Sequence, residues 1–136
     1  MPHAQAAAAT VNKAFQVLLT GEKPEDPCRY RFALDGVDYS VALTLGEERF
    51  HYRITARVGT RPYSAENADA RVAIAEILRQ SRELDRAHFL SDRHQGLWAY
   101  ADRDAEGSAT PDAVVHETLL FLQEARPFIR LLADYA

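Results

Sequence analysis

The chain has 136 residues, 47% of them apolar and 26% charged, and a net charge of −4. That length makes one domain able to bury a core unaided by staples, while the acidic balance argues against nucleic acid as the main partner. A single cysteine, Cys28, excludes an internal disulfide framework and fits a reducing compartment.

The opening MPHAQAAAATVNKAF lacks the basic start and long apolar run of a signal peptide. No stretch approaches the roughly 20 apolar residues of a membrane span, so a cytoplasmic protein without membrane contact is expected. From Ala4 to Thr20, Ala7, Val11, Phe15 and Leu18 recur at helical spacing, and Gly21 is a stop signal. GEKPEDP, with two prolines, reads as a loop.

The period then changes to two. In CRYRFAL, Tyr30, Phe32 and Leu34 alternate with Arg29, Arg31 and Ala33; the following Asp35-Gly36 is a tight-turn signal because glycine tolerates positive φ. VDYSVALTL puts Val37, Tyr39, Val41, Leu43 and Leu45 on one face. After GEE, RFHYRITARV alternates Phe50, Tyr52, Ile54, Ala56 and Val58 against Arg49, His51, Arg53, Thr55 and Arg57. These segments predict a three-stranded antiparallel meander with one apolar and one polar face.

RPYSAENADARVAIAEILRQSREL returns to helical period, with Ala70, Ile74, Ile77, Leu78, Ser81 and Leu84 on one side and Ser64 or Asn67 as the cap. AHFLS and GLWAYA are short strands joined by the turn DRHQ, and RDAEGSA reads as a loop. Leu97, Ala99 and Ala101 alternate with Trp98 and Tyr100; period alone leaves open which set faces the core. Thr110-Pro111 starts the last helix, a capping hydroxyl followed by proline at the first helical position. Pro127 is expected to kink it. The order α-β-β-β-α-β-β-α across residues 1–136 describes one α+β domain, with helices on one face of an antiparallel sheet.

Little in the sequence carries catalytic chemistry. His3, His51, His88, His94 and His116 are scattered without ligand spacing, and HETLL at His116 lacks the second histidine of a zinc motif. Cys28 has no local nucleophile signature. Asp35, Asp38, Glu47, Glu48, Asp102, Asp104 and Glu106 fall where turns and strand ends favour acids. No phosphate-cradling glycine loop occurs. The expectation is a protein that is no enzyme and takes no metal or cofactor.

Two surfaces invite a partner. Arg29, Arg31, Arg49, Arg53 and Arg57, with His51, project to the polar side of the meander, where they bind an acidic segment or merely cover the sheet with their stems. Trp98 is expected to be partly buried near that surface. On the last helix, Val114, Thr118, Phe121, Leu122, Ala125, Phe128, Ile129 and Leu132 form a core-facing arc. Leu120 and Leu131 fall outside it, beside Glu117 and Glu124 and with Tyr135 near them, a pattern that suits a seam against a second copy.

The element order, size and acidic balance resemble the class I type III secretion chaperones of the CesT (Tir chaperone) family and the YbjN-like domains that share their fold. RAHFLSDRHQGLWAYADRD carries an F-x-x-D…G…Y pattern at Phe89, Asp92, Gly96 and Tyr100, and TPDAVVHETLLFLQEARPFIRLL is similar to the closing helix of both families. The resemblance implies a homodimer without a catalytic site that holds an extended segment of a partner protein, a secreted effector or a regulatory target. It also implies an interface on the second helix, at Ala70, Ile74, Ile77, Leu78 and Ser81, although that stripe equally suits packing on the sheet. The competing expectation is a small apolar ligand held between sheet and last helix, lined by Tyr30, Phe32, Tyr39, Phe50, Tyr52 and Trp98.

Overall fold

The computed structural model describes residues 28–63 and 67–135. The helix expected at Ala4–Thr20, the loop after it and Ser64 lie outside them. Strands β1 (Cys28–Leu34), β2 (Val37–Thr44) and β3 (Arg49–Thr60) lead into helix α1 (Ala68–Gln80) and a 3-10 turn (Ser81–Glu83). Strands β4 (His88–Ser91) and β5 (Gly96–Glu106) and helix α2 (Pro111–Ala133) follow.

All five strands pair antiparallel in the order β1-β2-β3-β5-β4. The meander forms as its alternation predicts, and Asp35 and Gly36 close its first turn with φ of 52° and 78°. The chain crosses through α1 to the edge strand β4 and returns along β5, which docks on β3. β3 is thus the central strand. A register shift between Arg57 and Gly59 interrupts its pairing with β5 and sharpens the local twist.

β5 runs five residues beyond GLWAYA. Arg103 to Glu106, expected in a loop, pair with Phe50, Tyr52 and their neighbours on β3. The alternation of Tyr100, Asp102, Asp104 and Glu106 against Ala101, Arg103 and Ala105 is itself a strand pattern, one whose outward face happens to be acidic.

Asn67 caps α1, its side chain accepting from the Ala70 N–H at 3.0 Å, and Thr110 caps α2 with Pro111 in its first turn. α2 runs unbroken through exposed Pro127. It buries Val114, Thr118, Phe121, Leu122, Ala125, Ile129 and Leu132 against the apolar sheet face. Phe128, expected in the same arc, is half-buried against Phe89, with ring centroids 5.9 Å apart. Beneath α2, Phe32 stacks on Tyr39 at 4.9 Å, and the Phe121 ring meets Tyr39 edge-on at 6.4 Å. A second apolar cluster, Ile74, Leu97 and Leu132, joins α1, β5 and the end of α2.

Candidate partner-binding face

Alternation along the strands puts Tyr30, Phe32, Tyr39, Val41, Leu43, Phe50, Tyr52, Ile54 and Ala56 in the core, so their neighbours all point to the other side. The period-two ambiguity on β5 resolves the same way: Leu97, Ala99 and Ala101 are buried, which turns Trp98 and Tyr100 outward. No described helix covers this outward face.

Strand register arranges the face in rows running across the sheet. Arg29, Ala42, Arg53 and Asp102 form one row; Arg31, Ser40, Thr55, Tyr100 and His88 form the next. Beyond it Arg57, Trp98 and Leu90 stand side by side. On the opposite flank lie Thr44, His51 and Asp104, then Arg49 and Glu106. The face is therefore sorted by strand: arginine on the β1 edge, Asp38 and small side chains on β2, cations on β3, acids on the far half of β5.

The acids of β5 engage the cations of β3. Arg53 donates to Asp102 through Nε at 3.2 Å and through a terminal nitrogen at 2.9 Å. His51 lies between two carboxylates, with Nδ1 2.8 Å from Asp104 Oδ1 and Nε2 against Asp102. Burial works to raise the Asp102 carboxyl, but Arg53 and His51 outweigh it and hold the group below its ordinary range. Arg29 and Arg31 form no ion pair among the described residues. Between them and Arg53 the face dips into a depression of about 400 Å³ floored by Ser40, Ala42 and Thr55.

Trp98 is half-buried on this face, as expected. Its Nε1–H donates to Asp92 Oδ2 at 2.8 Å, while Asp92 Oδ1 accepts from the N–H groups of His94 and Gly96, each at 2.8 Å. Those bonds, led by Trp98, hold the Asp92 carboxyl below its usual value. A Cβ on Gly96 would lie 2.6 Å from Asp92 Oδ2, so a side chain there would push that carboxylate off the indole. Leu90, 41% exposed, stands beside the indole on the edge strand.

Comparison with protein-family models, with curated proteins and with solved structures finds no match.

Arg29, Arg31, Arg49, Arg53 and Arg57 share the open face and are exposed. Of the α1 stripe, Ala70, Ile74 and Ser81 are buried inside the chain, and Ile77 and Leu78 are half-buried against the Ile74 cluster. Its packing partner is this chain's own β5 and α2, which leaves those three side chains no surface to offer a second copy. The Leu120 side of α2 also differs from expectation. Glu124 accepts from the backbone N–H groups of Arg86 and Ala87 at 2.7 and 3.0 Å, and Glu117 meets the Arg86 guanidinium at 3.3 Å. Leu120 is half-buried there. Leu131, 47% exposed, and Tyr135, 44% exposed, remain an apolar edge at the end of α2.

Ser40 and Asp102 were not singled out from the sequence as parts of this face, while Thr55 was placed on it by alternation. For Asp102 the signal was present in the uninterrupted alternation after Trp98. That Ser40 and Thr55 meet in one row with Arg31 depends on strand register, which alternation does not give.

Proposed function

We propose that this chain is a non-enzymatic protein-binding module that holds an extended segment of a partner protein on its open sheet face. In this reading it has a secretion chaperone-like or YbjN-like fold and acts in the cytoplasm as a homodimer. The carrying observation is a sheet face left uncovered by the described helices, with two arginines that form no ion pair among the described residues above a depression at one end and Trp98 and Leu90 at the other. An extended peptide can lay charged side chains at the first and apolar ones at the second. The exposed Leu131 and Tyr135 edge supports dimerisation, and a dimer would offer two such faces to one partner chain.

The cavity reading draws less support. Tyr30, Phe32, Tyr39, Phe50 and Tyr52 fill the space between sheet and α2 as packed core, and Trp98 faces away from it. The recess beside the end of α2, among Leu34, Val37, Val58 and Ile129, measures about 130 Å³, below the roughly 300–1,000 Å³ of ordinary ligand pockets.

Two measurements test the module. Light-scattering mass should give a dimer that Leu131→Glu converts to a folded monomer. An array of extended peptides should show binding that the double reversal Arg31→Glu with Arg53→Glu abolishes while the circular dichroism spectrum stays native. A wild-type monomer would remove the dimer from the proposal, and an array bare of binders would remove the module.

A further inference from the structure

Building on the module reading, we infer that the Arg29–Arg31 depression selects partner segments with acidic residues at alternate positions. Arg29 and Arg31 lie two residues apart on one strand and project to the same side. Same-face neighbours on a strand are about 6.6–6.8 Å apart along the chain. Any extended peptide lying along β1 and β2 repeats its own side chains at that interval. An acid-x-acid segment therefore sets one carboxylate on each guanidinium and turns the intervening side chain to solvent. Two acids in succession point to opposite sides, so only one reaches the sheet.

The charge inventory agrees with this stoichiometry. Arg53 is already shared with Asp102, whereas Arg29 and Arg31 have no acidic partner among the described residues. Among the described residues the depression thus carries about two positive charges without an ion-pair partner, matched by two carboxylates; Asp38, the acid of β2 on this face, stands opposite Ala33 and outside the depression. Its floor helps the approach: Ser40, Ala42 and Thr55 are short, and the two hydroxyls add donors that an incoming carboxylate accepts from. Asp102, Asp104 and Glu106 repel an acidic segment from the β5 side of the face, which confines it to the β1–β2 half. They likewise disfavour a nucleic acid strand, whose phosphates would have to pass those acids wherever it continued across the sheet.

The test uses the full chain and fluorescently labelled 12-residue peptides, read by anisotropy at low salt. One peptide carries two glutamates, at positions i and i+2, in a threonine–serine background. A second has the same composition with its glutamates adjacent, and a third replaces them with apolar residues. Alternate spacing should bind about two- to fivefold more tightly than adjacent spacing, and Arg29→Gln with Arg31→Gln should erase that preference. Binding of the alternate peptide should also fall steeply as salt rises, because the contacts are exposed ion pairs.

Equal binding of the two spacings, or a preference that survives the double variant, overturns the inference. So does a single-stranded oligonucleotide of the same charge that competes more strongly than the acidic peptide. The apolar peptide separates the two levels of the reading. If it binds while the acidic ones do not, the module stands and the acidic specificity is lost; if none binds, both fall.

Discussion

The sharpest separation between core and interface roles for α1 comes from Ile74→Ala. Ile74 is fully buried against Leu97 and Leu132, so truncation removes three carbons from a closed cluster. At about 0.8 kcal/mol per buried methylene, the lost transfer energy alone is about 2.4 kcal/mol. Incomplete collapse around the new cavity adds to it, within the range of about 2–5 kcal/mol seen for such changes. A loss of about 3 kcal/mol is expected, a large part of the roughly 5–15 kcal/mol that keeps a domain folded. Urea unfolding followed by far-UV circular dichroism measures it, run at two protein concentrations a hundredfold apart. A core role gives the same loss at both, with an unchanged slope. Exposed Val72, two residues away on the opposite face of α1, supplies the control, where Val72→Ala should stay within about 0.5 kcal/mol. A loss under about 1 kcal/mol for Ile74→Ala, accompanied by dissociation of a dimer, would refute the packing argument.

Three further outcomes follow from particular contacts. Glu124→Ala should cost about 1–3 kcal/mol in urea unfolding, because it strands the N–H groups of Arg86 and Ala87 that one carboxylate oxygen now accepts from; Gln in its place should recover part of the loss. Gly96→Ala should push Asp92 off the indole and shift Trp98 emission while α2 stays helical, since the added Cβ meets Asp92 Oδ2 at 2.6 Å; unchanged emission would contradict that geometry. Asp92 and Asp102 are both held below their ordinary 3.8, so each contributes stability that is fully present above that value and is lost as pH falls through its lower folded value. Urea midpoints measured from pH 6 down to pH 2 should fall fastest below about pH 4, and Asp102→Asn should flatten part of that fall.

Where periodicity and burial coincide, the sequence was legible. The three-strand meander, the Asp35-Gly36 turn and the Thr110-Pro111 helix start all rest on local rules of backbone geometry, and each lies where those rules put it. Arg103 to Glu106 were misjudged because acidic residues usually mark loops, whereas here an outward strand face on the solvent side can carry any polar residue. The Glu117 and Glu124 edge of α2 was misjudged for a related reason. A helical wheel records polarity, not whether a neighbouring loop needs its N–H groups satisfied. The α1 stripe stayed ambiguous in sequence since packing on a sheet and packing on a second copy demand the same apolar spacing. Only tertiary placement distinguishes them.

β3 explains why such a surface coexists with a stable core. As the central strand it pairs on both sides, so its backbone is held by β2 and β5 whatever its outward side chains are. Phe50, Tyr52, Ile54 and Ala56 carry its share of the core, and the alternate residues Arg49, His51, Arg53 and Arg57 are released from any packing duty. β5 then supplies acids that engage His51 and Arg53 and orient them, at small energetic value for such exposed pairs. Opposite Arg29 and Arg31 the edge strand β1 meets Ala42 and Ser40 on β2, whose outward acid, Asp38, stands opposite Ala33. Among the described residues Arg29 and Arg31 therefore have no ion pair, whereas Arg53 beside them on the central strand is already held by Asp102. It is the edge that an extended partner can approach without displacing an existing ion pair.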